Sequence, residues 1–379
     1  MTNPNDVSPD SNGAPTVPEM VLPDFSGRST ISVMPALTWG VPSETIPDEI
    51  ASAERVVILV LDSLGWVQMQ ERLDLIPNLS KMNGGSATTT APSTTASALT
   101  SISTGVAPGE HGIIGYRFPA GGEVMNALRW TTASGDHRGT VSPSSVQVVP
   151  PLGGGAWDIV GDRQFKGSGF TAAYLGEGPY HGVWHPSSLV AETRRLFDEG
   201  QKRVYAYYDG LDHVAHVYGF NGQHFNHELA FCDWLVGAML DGVPTGTAVV
   251  VTADHGQIDA PEIVSVSPDT MQLVTNRSGE SRFRWLHAKP GATEDLAATA
   301  RESHGDQAWV RTREQVIDEG WFGPTVSTEA AARLGDVALV AHAPVGFDDP
   351  GEPHASKLIG RHGSLTEAEM LVPVLHTLS

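Results

Sequence analysis

This 379-residue sequence predicts an α/β fold built on a largely parallel central sheet flanked by helices, and three observations lead there. Arg55 to Leu61 reads RVVILVL, the continuous aliphatic and β-branched run of a parallel strand whose two faces are both covered. Phe170 to Leu175, Arg203 to Tyr208, Thr247 to Thr252 and Asp336 to Ala341 are comparable runs. Helical patterns at Thr95 to Ser103, Ser187 to Phe197, His224 to Leu240 and Glu294 to Ser303 separate several of them. Hydrophobic residues make up 40% of the chain, enough for a sizeable core, and the single cysteine, Cys232, excludes an internal disulfide or a Cys-x-x-Cys site.

Residues 21–379 read as one α/β domain with insertions near 117–165 and 259–325. The first insertion is rich in Gly, Pro and Ser; the second holds strand-like Met271 to Val274 and Arg282 to Leu286. Both look like cap segments. Residues 1–20, rich in Pro, Asn, Ser and Asp, read as a disordered tail. With 23 Lys+Arg against 44 Asp+Glu the net charge is −21, which argues against nucleic-acid duplex binding. The N-terminal stretch does not read as a secretory signal, and no run reaches the roughly 18 to 20 apolar residues needed to cross a membrane. A soluble cytoplasmic protein acting on a small molecule is the expectation.

In open α/β sheets ligands bind beyond the carboxyl ends of the strands, so the residues following each strand carry the chemistry. Asp62 follows the first strand, Asp209 and Asp212 the strand at 203–208, and Asp254-His255-Gly256 the strand at 247–252. His216 lies four residues beyond Asp212, and His362 stands near the C-terminus. An Asp/His set without cysteine suits catalytic Zn²⁺, Mn²⁺ or Fe rather than a closed structural zinc site. Singly, each element has a plainer meaning. Asp62 can be a turn former or helix cap, and Asp212 with His216 a surface pair one helical turn apart. Only their joint occurrence at strand ends points to a site. The hydroxyl-rich stretch Ala91 to Gly105 leads into a helical pattern, placing Ser or Thr hydroxyls at a helix N-terminus, either as caps or as a nucleophile beside bound anion.

The ordered set Asp62, the Thr-rich turn, Thr104-Gly105, Pro108-Gly109-Glu110-His111-Gly112, Asp212-x-x-x-His216, Asp254-His255-Gly256 and His362-Gly363 resembles the alkaline phosphatase superfamily. Within it the likeness is to the nucleotide pyrophosphatase/phosphodiesterase (type I phosphodiesterase) branch, over about residues 55–116, 203–256 and 358–375. The resemblance implies an alkaline-phosphatase-like core and two divalent metal ions, Zn²⁺ first and Mn²⁺ or Fe as alternatives. Asp62, Asp254 and His255, with the nucleophile, would hold one ion; Asp212, His216 and His362 the other. Counting back without gaps from Thr104-Gly105 and His111-Gly112 makes Thr95 the nucleophile, against the competing register of Thr90-Ala91-Pro92-Ser93.

The implied reaction is hydrolysis of a phosphodiester or nucleotide through a covalent phospho-threonine. A phosphomonoesterase or phosphonate hydrolase on the same core is the alternative, and a non-catalytic metal-binding regulatory protein a more remote one. Two departures leave the substrate class open: Ala96-Ser97-Ala98 stands where the branch has Phe-Pro-Asn, and Tyr116 where relatives carry a phosphate-binding Asn. The Cys/Ser-x-Pro-x-Arg motif of sulfatases is missing. Trp130, Tyr180, His181, Trp184 and His185 either line a substrate pocket or pack beneath a cap. Cys232 reads as a buried helix residue.

Overall fold

The computed structural model describes residues 17–136, 138–352 and 355–379. Seven strands form the central sheet: β1 (Arg55–Leu61), β2 (Asn83–Thr88), β3 (Asp158–Asp162), β4 (Tyr180–Val183), β5 (Arg203–Tyr208), β6 (Thr247–Thr252) and β7 (Leu371–Leu378). Their order is β2-β7-β6-β1-β5-β3-β4, and β7 alone runs antiparallel to its neighbours. In β1, Val56, Ile58 and Val60 pack into the core on one face, while Val57, Leu59 and Leu61 pack into the core on the other. That two-sided burial is why the strand carries no polar alternation. The principal helices are α1 (Thr95–Thr104), α2 (Gly169–Leu175), α3 (Ser187–Asp198), α4 (Gly210–Tyr218), α5 (Gln223–Gly242) and α6 (Thr293–His304). Cys232 lies fully buried in α5, as its setting predicts.

Five expectations need correction or refinement. Phe170 to Leu175 is the helix α2, not a strand. The Ser168 hydroxyl caps it by accepting from Thr171 N–H at 3.0 Å, and Gly176 ends it at φ +67°, a conformation that favours glycine. Met271 to Val274 divides between the end of a short helix, Pro268–Met271, and the start of the strand Val274–Glu280. The run at 336–341 is the strand Val337–Ala341, but it lies in a separate antiparallel sheet ordered Val274–Glu280, Phe283–Ala288, Val337–Ala341, Ala308–Thr312. The 117–165 segment ends in β3, a central strand; its earlier part folds into a small antiparallel sheet over 117–136. Of the expected tail, residues 1–16 lie outside the described residues. Met20 packs on the core, and Val21 N–H donates to Leu365 O at 2.9 Å.

A buried ion pair joins the second sheet to the central one. Arg282 donates from Nε to Glu369 Oε1 at 2.7 Å and from Nη2 to Oε2 at 2.8 Å, with neither side chain exposed. The guanidinium also reaches the carbonyls of Ala341, Ala343 and Val345, and Glu369 accepts from Ser364 N–H and the Thr366 hydroxyl. Because every donor and acceptor is used, the pair holds its place; removing one partner strands a buried charge. Replacing Arg282 by Ala should cost about 3–5 kcal/mol of stability. Urea denaturation checks this, and a variant within about 0.5 kcal/mol of the parent would contradict it.

Candidate active site

The loops beyond the carboxyl ends of β1, β5 and β6 meet at one point. Asp62 and Asp254 are buried there, and His255 is fully buried. Asp62 Oδ2 accepts from the Tyr207 hydroxyl, whereas Oδ1 has no partner. Asp254 Oδ1 accepts from Ser63 N–H at 3.1 Å and His255 N–H at 3.0 Å, whereas Oδ2 has none. Ser63 adopts φ +67°, a left-handed turn that aims its amide at Asp254. Each carboxylate is thus clamped by one oxygen and offers the other.

Asp212 and His216 share one face of α4, with Nε2 of the imidazole 3.4 Å from Asp212 Oδ1. The side-chain amide of Gln257 also donates to that oxygen. His362 Nε2 lies 3.9 Å from the same oxygen, and its ring stacks on His255 with centroids 3.6 Å apart. All three imidazoles are oriented alike. Nδ1 of His216 meets Gly360 O at 2.8 Å, that of His255 meets Gly256 O at 3.1 Å, and that of His362 meets Ser93 O at 3.0 Å. A carbonyl can only accept, so each Nδ1 carries the proton and each Nε2 turns a lone pair toward the centre. This is how a metal-binding histidine is held in its tautomer.

The resulting donors form two groups, Asp62 with Asp254 and His255, and Asp212 with His255 and His362, whose ligand atoms lie within 4.8 Å of one another. Unpartnered buried carboxylate oxygens facing imidazole lone pairs fit divalent cations. Thr95 opens α1, and its hydroxyl lies 3.1 Å from His255 Nε2. In the competing register, Ser93 spends its hydroxyl on Ser364 O and Thr90 on Pro92 O. Asp209 instead faces His213, with Oδ2 3.5 Å from Nδ1.

Electrostatics follow from this burial. Desolvation, then the neighbouring Asp254 and Asp212 carboxylates, push the Asp62 carboxyl well above its usual range. Desolvation also raises Asp254 to about 6. It lowers His255 to about 4 and pushes His362 well below the ordinary imidazole value, with the His255 and His216 rings adding to the latter. His255 and His362 are therefore neutral at pH 7 and have no proton to lose to a metal, whereas the Asp62 carboxyl resists ionisation until a cation arrives.

Beside Thr95 and Asp62 lies a cavity of about 250 Å³ walled by Leu99, Leu128, Phe165, Phe170 and Tyr174. The Phe170 and Tyr174 rings stack at 4.6 Å, one helical turn apart on α2. None of the five residues considered as pocket aromatics lines this cavity. Trp130 is buried and donates to Val141 O, Tyr180 donates to Asp162 O, and His181 meets Asp158 Oδ1 at 2.7 Å. Trp184 is exposed beneath the Arg163 guanidinium, and His185 is exposed. The aromatic wall and the two orienting groups, Tyr207 and Gln257, escaped the sequence reading. Only the alternation Tyr205-Ala206-Tyr207, beside the Asp62 strand, hints at one of them.

The profile of the type I phosphodiesterase / nucleotide pyrophosphatase family matches residues 56–365. The chain belongs to that family. It is therefore a phosphoric ester hydrolase of a dimetal class. Solved structures of the same fold include murine ectonucleotide pyrophosphatase/phosphodiesterase 5, at 13% identity and TM-score 0.63 over 85% of this chain and 88% of that one. An inactive threonine-to-alanine variant of the murine protein in complex with AMP aligns at 12% identity and TM-score 0.63, over 85% and 88% of the two chains. Phosphonoacetate hydrolase from Sinorhizobium meliloti 1021, in complex with phosphonoformate, aligns at 18% identity and TM-score 0.61 over 86% of this chain and 90% of that one. No curated protein matches the sequence. Among the described residues, no helix of this phosphodiesterase-family chain is long and apolar enough to cross a membrane.

Metal affinity should rise with pH between about 5 and 7, as Asp254 gives up its proton to the incoming ion. Competition with a chelator measures this; an affinity flat across that range would contradict the carboxylate reading.

Proposed function

We propose that the chain cleaves phosphodiesters, nucleotides among them, in two steps through a covalent phospho-threonine at Thr95. The observation that carries this reading is the Thr95 hydroxyl itself, at the first turn of α1, beside His255 Nε2 on one side and the aromatic cavity on the other. A monoester would need no such apolar wall; a second ester group, a nucleoside or aryl group for example, would fill it. The inactive threonine-to-alanine relative agrees with a threonine nucleophile.

Asp62, Asp254, His255 and the Thr95 oxygen would hold one divalent ion and Asp212, His216 and His362 the other, Zn²⁺ being the first choice for this donor set. Bound there, the pair would supply Lewis-acid stabilisation of the attacking and leaving oxygens. The protein's own contribution is positional. Thr95 forms a bond from Oγ1 to phosphorus while the bond to the leaving alkoxide breaks, and the proton given up by the Thr95 hydroxyl ends on that oxygen as the alcohol departs. Free amides at the start of α1, where Thr94 makes no side-chain cap, face the developing negative charge. Water then attacks phosphorus, and Thr95 regains its hydroxyl as phosphate monoester departs. The stacked rings of Phe170 and Tyr174 hold the second ester group throughout.

A phosphonate hydrolase is the second reading, supported by the shared fold of phosphonoacetate hydrolase. Side-by-side rates on a phosphonate, a phosphomonoester, bis-p-nitrophenyl phosphate and ATP separate the two. The diester or ATP should be fastest. Replacing Thr95 by Ala should lower turnover by about a thousandfold or more while bound metal stays near the parent level. A variant that hydrolyses bis-p-nitrophenyl phosphate at the parent rate would rule out Thr95. Chelation should abolish activity and Zn²⁺ or Mn²⁺ restore it; activity surviving exhaustive chelation would defeat the dimetal account.

A further inference from the structure

A second cavity, of about 400 Å³, also opens beside Thr95. His216 and His362 line it and not the first cavity, whereas Asp62 and the Phe170 and Tyr174 rings line only the first. Thr95 thus stands between two spaces of different character. On the reading proposed above, the ester group that stays on phosphorus lies against the aromatic rings, and the departing alcohol takes the other side.

Glu280 stands in this second wall with only 6% of its surface exposed. It ends the strand Val274–Glu280 of the second sheet, and the backbone of Gly363 holds its side chain in place: a Cβ added there would lie 2.8 Å from Glu280 Cδ. Oε1 has no hydrogen-bond partner. Nor does a side-chain cation compensate the carboxyl. Arg282 is spent on Glu369, and Arg284 on Asp349 and Glu352. Arg361, at the same wall, donates to the carbonyls of Ala260 and Leu358, and Arg129 lies exposed at the rim. Burial accordingly pushes Glu280 up to about 8, which the Thr94 hydroxyl and Arg284 oppose without restoring the ordinary value. A desolvated acid of this kind weakens the fold, so its place beside the reacting group calls for a partner that arrives from outside.

We infer, on the diester reading with Thr95 as the attacking group, that Glu280 determines specificity by receiving an ammonium group on the departing alcohol, so that phosphodiesters of amino alcohols are the preferred substrates. An ammonium brings both things that Glu280 lacks, a positive charge and N–H donors. A hydroxyl brings only a donor. A plain alkyl alcohol brings neither and leaves the acid unpaired once the cavity is filled, which is the asymmetry that produces discrimination.

The test uses the metal-loaded enzyme and the 5′-AMP esters of 2-aminoethanol, ethylene glycol and 1-propanol, with release of AMP as the readout. The parent should prefer the aminoethyl ester. Glu280→Gln should cut the aminoethyl-to-propyl ratio of kcat/KM by about tenfold or more. Comparing that ratio between parent and variant cancels the difference in acidity of the two alcohols. Glu280→Gln should also melt at or above the parent temperature, because the amide keeps the shape and drops the desolvated acid. A loss shared equally by the two esters, or a melting temperature well below the parent's, marks a structural residue and overturns the inference. An ethylene glycol ester cleaved as well as the aminoethyl one overturns the ammonium. The parent also decides without any variant, since no preference for the aminoethyl over the propyl ester overturns the inference outright.

Calorimetry on the Thr95→Ala chain keeps the two readings apart. The aminoethyl ester should bind it more tightly than the propyl ester, and adding Glu280→Gln should erase the difference. Equal binding of the two esters before that change overturns the role of Glu280. Failure of the parent to cleave any of the esters, with the binding difference intact, sinks the diesterase reading alone; cleavage without preference sinks only Glu280.

Discussion

Asp62, Asp254 and Asp212 are brought together at the carboxyl ends of three adjacent parallel strands, and the nitrogen bases that face them there are histidines, not the permanent cations lysine or arginine. Mutual repulsion and desolvation make that arrangement costly for the protein alone, which is why burial raises two of the carboxyls. In a chain of net charge −21 no general surplus of positive charge offsets it. Divalent cations do so locally, since they are the largest charges such a site can hold. The rest of the site is built to keep donor atoms facing inward under this strain.

Two devices achieve it. Backbone carbonyls of Gly256, Gly360 and Ser93 each fix an imidazole, so that ring orientation depends on main-chain positions on three separate segments. Those segments are tied in turn: Gly256 N–H donates to Glu369 O, and Glu369 pairs with Arg282 from the second sheet. Gly363, at φ +120°, follows His362 directly and leaves room for Glu280, whose Cδ would lie 2.8 Å from an added Cβ. The second sheet is therefore a brace for the loops that carry these imidazoles. Helix α1, buried over its whole length, admits this close packing because all its residues but Leu99 and Ile102 are Ala, Ser or Thr. Thr100 and Thr104 return their hydroxyls to the carbonyls of Ala96 and Thr100, each at 2.7 Å.

Much of this was legible in the amino-acid order, and for a physical reason. Strands covered on both faces, such as β1 and β6, must be apolar throughout, so the polar residue ending each run stands out at the edge where ligands bind. The same reason misled the reading of Val337–Ala341. Ala338 and Val340 join the main core while Val337, Leu339 and Ala341 join a separate one, so two-sided burial arises in an antiparallel sheet. Phe170 to Leu175 was ambiguous because a short apolar run fits a buried helix as well as a strand. That ambiguity hid the aromatic wall, since only helical spacing stacks Phe170 on Tyr174. Contacts between distant segments, such as Tyr207 with Asp62 and Gln257 with Asp212, leave no local pattern to read.

The account stands on two cations held by one set of converging side chains. Anomalous diffraction from crystals grown with Zn²⁺ tests it most directly. It predicts two peaks about 4 Å apart, one against Asp62, Asp254 and His255 and the other against Asp212, His216 and His362. Peaks confined to the protein surface, with these six residues left unoccupied at saturating metal, would contradict it.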